Sequence, residues 1–306
     1  MRIAAILNRD GGTLRTLDLG SLASRGAEIF AASGHDLEVH IVGGQEVEAA
    51  LRAAAENPQV DATLAGGGDG TISSAAAISF QSGKPLAVLP AGTMNLFARA
   101  LRLPLDLEEA MVAIAQGSVD RVDIATANGR PFVHQFGVGI HARLVRIREG
   151  MSYGSRTGKM LASLRAIAAA AVNPPRFEVE LESGGQKITR TVSGVAVSNN
   201  PLNNGTIPVA ERLDTGLLGV YLAGPVGTTE LLNLAFDVLT GRWRDNPQVS
   251  EVEVHRIALS FPQKKRNAFA VIDGELVKLD RRVELVLHRR ALPVILPRNN
   301  EGQAQA

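Results

Sequence analysis

Cysteine is absent from the 306-residue chain. Disulfides, thiolate nucleophiles and Cys-ligated zinc are thereby excluded, and a reducing compartment is allowed. A dominant charge is also lacking: 32 Lys and Arg against 31 Asp and Glu leave a net charge of +1. That balance argues against a general nucleic-acid binder, which needs a strong basic field. No stretch of about 20 apolar residues is free of charges or prolines, so no transmembrane helix is expected. The opening residues Met1 to Asn8 read as a strand, too quickly interrupted to be a signal peptide. A cytoplasmic location follows as the expectation, with peripheral membrane association left open. The six histidines, His134 and His141 among them, show no metal-ligand spacing and read as structural. What is present, 45% hydrophobic and 21% charged residues, fits a soluble globular protein of one large or two ordinary domains.

The chain is organised around residues 62–74. An apolar run, Ala62 to Ala65, enters Gly66-Gly67-Gly68-Asp69-Gly70-Thr71, and a Ser/Ala-rich helical stretch leaves. Glycines permit positive φ and let a bound group approach the backbone closely. A helix N-terminus adds unpaired N–H groups and a partial positive charge, which together favour an anion such as phosphate. The loop is not a Walker A loop, because no Gly-Lys-Ser/Thr follows, and Thr71 occupies the third glycine position of the dinucleotide fingerprint. Asp69 is the unusual member. A carboxylate among phosphate-binding amides repels the ligand unless a cation or proton intervenes, so Asp69 reads as acting through Mg²⁺ or on a hydroxyl proton.

Periodicity predicts strands at 2–8, 37–42, 62–65 and 86–89, alternating with helices at 17–33 and 46–56 and followed by a helix at 106–116. Such alternation means a parallel sheet covered by helices, with ligands beyond the carboxyl ends of the strands. Asn8, Gly66–Thr71 and Gly92–Asn95 all fall at those ends. After residue 120 the pattern changes to successive strands, expected at 119–125, 131–137, 140–147, 177–181, 187–199, 219–223, 249–259, 268–272 and 283–287. Helices are expected at Ser155–Val172 and Thr228–Leu239. The prediction is an α/β N-terminal domain over 1–120 and a β-rich, sandwich-like domain over 121–297, with a disordered polar tail at 298–306.

Gly66–Thr71 resembles the glycine-rich signature of the diacylglycerol kinase catalytic domain, shared with sphingosine and ceramide kinases and bacterial lipid kinases. A similar motif occurs in NAD kinases and 6-phosphofructokinases. A second block narrows the resemblance: Pro90-Ala91-Gly92-Thr93-Met94-Asn95-Leu96-Phe97-Ala98-Arg99 is similar to the lipid kinases' P-x-G-T-x-N-D-F-A-R, departing at Leu96. At Asn8 the family's following proline is missing. The resemblance also implies that a last strand near Leu292–Leu296 returns towards the first domain.

Further site residues come from the second half. Asp273-Gly274-Glu275 ends a predicted strand, and Asp-Gly is equally a hairpin-turn signal. The resemblance implies that Asp273 is the base for a lipid hydroxyl, with Glu275 its neighbour; a carboxylate suffices because proton loss can be late in a loose phosphoryl transfer. Asn199 to Leu218 is similar to a stretch that holds a structural Mg²⁺ in bacterial members. Thr215 stands where the metal-binding Asp belongs and Asp214 lies one place early. Lys159, in Gly158-Lys159, could reach a phosphate or belong to a solvated basic helix face with Arg156 and Arg165. Arg242-Trp243-Arg244 is either a membrane-interface element or a packed loop.

The expectation is therefore a lipid kinase using ATP and Mg²⁺, with a diacylglycerol-like lipid alcohol as acceptor, acting at a membrane surface only transiently. A homodimer is allowed. ATP phosphates are expected on Asn8, Gly66, Gly67, Gly68, Asp69, Gly70, Thr71, Gly92, Thr93 and Asn95, with Mg²⁺ held through Asp69 and, in the second half, Asp214. Asp69, Asp273 and Glu275 form the expected catalytic set. The rivals are an NAD kinase, which should lack the Gly-Thr-x-Asn-x-Phe-Ala-Arg block, and a non-catalytic nucleotide- or lipid-binding protein on the same scaffold.

Overall fold

The computed structural model describes residues 1–149 and 173–298. The helix expected at Ser155–Val172, with Arg156, Gly158, Lys159 and Arg165, lies outside those residues, as does the tail from 299. The chain divides into two compact units, Met1–Ile124 with Arg289–Ala306, and Ala125–His288.

In the first unit, β1 (Arg2–Asn8), β2 (Asp36–Val42), β3 (Ala62–Gly67) and β4 (Leu86–Pro90) form a parallel sheet in the order β2-β1-β3-β4. Every residue of β3 and β4 is buried, whereas edge strand β2 is half-exposed. A parallel strand covered on both faces has to be apolar throughout, which is why Ala-Thr-Leu-Ala and Leu-Ala-Val-Leu take these places. The connecting helices are α1 (Leu19–Ala32), α2 (Val47–Glu56) and α3 (Asp69–Ser82), followed by α4 (Leu96–Ala100) and α5 (Leu107–Ala115). Asp18 and Asp106 start α1 and α5 by accepting two first-turn N–H bonds each. The last strand adds to β4 in parallel through Val294 and Leu86.

The second unit is an antiparallel sandwich. From β5 (Ser118–Ala127) and β6 (Arg130–Phe132) the chain enters β7 (Gln135–Gly139) and helix α6 (Ile140–Glu149). It resumes with β8 (Phe177–Ser183), β9 (Gln186–Val192), β10 (Gly194–Asn199), β11 (Leu218–Ala223) and helix α7 (Thr228–Leu239). β12 (Val249–Val254), β13 (Arg256–Ser260), β14 (Phe269–Ile272), β15 (Glu275–Lys278) and β16 (Arg282–Leu296) complete the chain, β16 ending in the first unit. One sheet runs β12-β11-β10-β7-β14-β15; the facing strands run β16-β13-β8-β9. Alternate residues of the first sheet, such as Phe136, Val138, Val195, Val197, Val220 and Leu222, meet Val179, Leu181, Ile257, Leu259 and Leu285 in one core. This is the two-residue period of a sandwich interior.

Several expectations are corrected. Residues 140–147, read as a strand, are helix α6. The alternation Ile140, Ala142, Leu144 imitates a strand. The structure uses the helical spacings instead: Ala142 and Val145 pack on Val271, and Ile140 and Leu144 on Val226 and Leu231. The run 187–199 is two strands in different sheets, broken at Ser193, whose N–H donates to Ala223 O. The run 249–259 breaks likewise between β12 and β13. Strands that change sheet at a corner carry uninterrupted β-propensity, so the sequence pattern does not mark the break. The segments at 283–287 and 292–296 are one strand, β16.

Candidate functional site

Three loops meet at the carboxyl ends of β1, β3 and β4, and backbone and side-chain bonds tie them together. Asn8, the last residue of β1, donates from Nδ2 to Thr71 Oγ1 at 3.0 Å. Ala91 N donates to Gly67 O at 3.1 Å, and Thr13 N to Ala91 O at 2.7 Å. The 92–95 loop closes on itself: Asn95 Oδ1 accepts from Gly92 N at 2.7 Å, and its Nδ2 donates to Gly92 O at 3.1 Å. Asn95 takes φ +52°, a conformation Asn tolerates better than most residues. Thr93 is exposed on this loop.

Helix α3 starts at Asp69 from Gly68, which has no side chain to cap it. Its first-turn amides and dipole therefore give the loop rim an anion-attracting character. None of Gly66, Gly67, Gly68 and Gly70 takes a positive φ. Closeness is what requires glycine at Gly67, where a Cβ would sit 2.7 Å from Thr71 Cβ, and at Gly92. A Cβ there would sit 2.8 Å from both Gly68 Cα and Asn95 Oδ1. Backbone cannot yield as a flexible side chain does, so Gly92→Ala is expected to separate the two loops. A drop in nucleotide affinity of at least about tenfold, read by calorimetry, is the predicted result, since a 1 Å misplacement can cost about a hundredfold in turnover.

Asp69 is half-exposed, and both its oxygens are engaged. Oδ1 accepts from Leu96 N at 2.6 Å and Oδ2 from Asn95 N at 3.2 Å. The carboxylate thus caps the short helix α4, whose own first residues supply no side-chain cap. It joins the Gly66–Thr71 loop to the Pro90–Asn95 loop. This bracing role is absent from the sequence reading, which gave Asp69 only a metal or a proton. Among the described residues no group of three His, Asp or Glu side chains is placed to hold a metal ion. A phosphate-borne Mg²⁺ needs only one or two carboxylates beside the phosphates and keeps several waters, so a single Asp69 on this rim fits such an ion.

The remaining candidates lie in the second unit. Asp273 and Gly274, at φ +46° and +87°, form the two-residue turn between β14 and β15. The Asp273 carboxylate also gathers three backbone amides: Val133 N at 2.9 Å, His134 N at 2.9 Å and Gln135 N at 3.0 Å. Glu275 is paired with Arg130 at 2.6 Å on the surface. Asp214 is paired with Arg212 at 3.1 Å. Thr215 is held by Asn200, whose Oδ1 accepts its N–H at 3.0 Å and its hydroxyl at 2.6 Å.

Sequence reasoning also missed an apolar cavity of about 350 Å³ between α6, α7 and the β7-β10-β11 face. Leu144, Leu202, Tyr221, Leu234, Val238 and Trp243 contribute to its wall, with His134 and Gln135 at its polar side. Trp243, the only tryptophan, is a packed residue, stacked edge-on to Tyr221 at 5.1 Å between centroids. Burial pushes the Tyr221 phenol up from its ordinary pKa, so it stays neutral, and its oxygen accepts from Leu202 N at 2.7 Å. Tyr221→Phe strands that buried amide. A stability loss of about 1–3 kcal/mol in urea unfolding is expected.

Residues 2–127 match the family model described as the diacylglycerol kinase catalytic domain. An uncharacterized protein of Synechocystis sp. is 28% identical over 223 residues, 70% of this chain and 50% of that protein, so the chain spans half of that relative's length. A diacylglycerol kinase of Bacillus subtilis is 24% identical over 278 residues, covering 84% of this chain and 88% of that protein. A crystal structure described as that of a diacylglycerol kinase from Bacillus anthracis str. Sterne has TM-score 0.71 and 20% identity over 97% of each chain, a likeness of fold.

Proposed function

Over residues 2–127 the chain belongs to the diacylglycerol kinase catalytic-domain family, and on that premise we propose that it transfers the γ-phosphoryl group of ATP to the hydroxyl of a diacylglycerol-like lipid. The observation that carries this reading is the Asp69 bracket, which locks the Gly66–Thr71 loop to the Gly92–Asn95 loop at the N-terminus of α3. Rigid amides at strand ends suit the phosphates of a nucleotide. Asn8, Gly66 to Thr71, Gly92, Thr93 and Asn95 are the residues assigned to them. Mg²⁺ bound with the nucleotide supplies neutralisation of phosphate charge.

The apolar cavity takes the lipid body in this reading. Asp273 holds the backbone of His134 and Gln135, which line that cavity, and in this reading its carboxylate serves the lipid hydroxyl. The lipid oxygen bonds to the γ-phosphorus, the bond to the β–γ bridging oxygen breaks and ADP leaves. The hydroxyl proton passes late to Asp273, for which a weak base is enough. Glu275 acts on this turn only through its pair with Arg130. Asp214, paired with Arg212, has no part in the proposal.

One observation favours a second reading. Both Asp69 and Asp273 spend their carboxylates on backbone amides, as a non-catalytic binding protein on this scaffold would also do. Incubation with γ-labelled ATP and a panel of diacylglycerol, monoacylglycerol, sphingoid base and polyprenol separates the two. Label in one lipid supports the kinase; ATP binding with no labelled lipid supports the binding protein.

A further inference from the structure

The second unit holds another cavity, of about 400 Å³, distinct in chemistry from the apolar one. Its floor is apolar and aromatic. Phe261 and Leu279 are buried there, Phe177 lies 6.1 Å from Phe261 between ring centroids, and Phe269 carries the Arg146 guanidinium 5.2 Å over its ring. Its rim is cationic: Arg143, Arg146, Arg176, Lys264 and Lys265 all line it. Glu178 is the single acid among the described lining residues, and it accepts from Gln263 at 2.6 Å. Elsewhere on the surface arginines find carboxylates readily. Among the described residues Arg146, Arg176, Lys264 and Lys265 take part in no ion pair.

Cations gathered around a concavity repel one another unless an anion joins them. Scattered surface lysines would be merely solvated, but these ring an aromatic floor. An inorganic anion would have no use for that floor, and an uncharged lipid alcohol none for the rim. We propose that this cavity binds an anionic lipid, its phosphate on Arg146, Arg176, Lys264 and Lys265 and the start of its chain on Phe177, Phe261 and Phe269. The site is separate from the one assigned to the acceptor lipid, and binding is read without turnover, so its failure and that of the kinase reading are distinguishable.

The test uses the full chain and dihexanoyl phosphatidic acid below its micelle concentration, titrated by calorimetry. The comparators are dihexanoyl phosphatidylcholine, inorganic phosphate and dibutanoyl phosphatidic acid. The variant is Arg146→Gln with Lys264→Gln and Lys265→Gln, and its thermal unfolding is recorded beside the wild type. The expected results are saturable binding of the dihexanoyl phosphatidic acid, weaker binding of all three comparators, and at least about tenfold loss in the variant. Equal affinity for phosphatidylcholine, equal affinity for inorganic phosphate, no gain with chain length, or an unaffected variant each overturns the assignment. Phosphatidylcholine vesicles with and without phosphatidic acid form the second arm. If the variant loses vesicle binding the lipid comes from a bilayer, and if it loses only monomer binding the lipid is a dispersed one; both support the site.

Discussion

Asp69→Ala is expected to lower phosphoryl transfer by about a hundredfold or more and to destabilise the first unit by about 2–3 kcal/mol. Both effects follow from the same two bonds. Without the carboxylate, Asn95 N and Leu96 N at the start of α4 lose their acceptor, and the Gly92–Asn95 loop is no longer pinned to the Gly66–Thr71 loop. Asp69→Asn separates bracing from charge. Its single amide oxygen can still serve Leu96 N, so most of the stability should return. Its charge is gone, so transfer should stay low if the carboxylate also works on the nucleotide's cation. Kinetics and thermal unfolding of the two variants side by side check this. Wild-type transfer in Asp69→Ala would remove the bracket from the account.

Asp273→Ala carries the second large effect. Three amides, Val133 N, His134 N and Gln135 N, lose a charged acceptor at once. A bond to a charged group contributes about 1.5–3 kcal/mol, and the three share one carboxylate, so a loss of about 3–5 kcal/mol is expected. Alanine also tolerates φ +46° less well than Asp or Asn. Asp273→Asn keeps the turn and one acceptor oxygen, and is expected to recover part of the stability. Urea unfolding gives the stabilities, and transfer is measured on whichever variant remains folded. If Asp273→Asn folds like the wild type and transfers phosphate at the wild-type rate, Asp273 is a turn residue and not the base.

The first unit was legible because β1, β3 and β4 are short apolar runs, β3 and β4 running into glycine and proline, and its loops fall at the strand ends by topology alone. Helix α6 was not, because Ile140, Ala142 and Leu144 fit a strand's period while the pairs Ile140/Leu144 and Ala142/Val145 fit a helix's, and only packing on Val226 and Val271 decides between them. The break at Ser193 is hidden in Lys187–Asn199 because polar β9 and apolar β10 both carry the β-branched residues of a strand. In the candidate site, residue types were readable and partners were not. That Asp69 spends itself on Asn95 and Leu96 depends on the left-handed Asn95, a conformation no spacing rule announces. The cationic cavity joins Arg146, Arg176 and Lys264 from separate parts of the chain, which a linear pattern cannot bring together.

The central claim is that the braced loops of the first unit hold a nucleotide's phosphates. Titrating ATP with Mg²⁺ into protein labelled with ¹⁵N-glycine reads that claim without requiring turnover. Among the 31 glycines, Gly66, Gly67, Gly68, Gly70 and Gly92 are predicted to shift and saturate together, while Gly184 and Gly185 at the β8–β9 turn stay still. Saturable shifts at the second unit's glycines with the loop glycines unmoved, or no shifts at millimolar ATP, would contradict it.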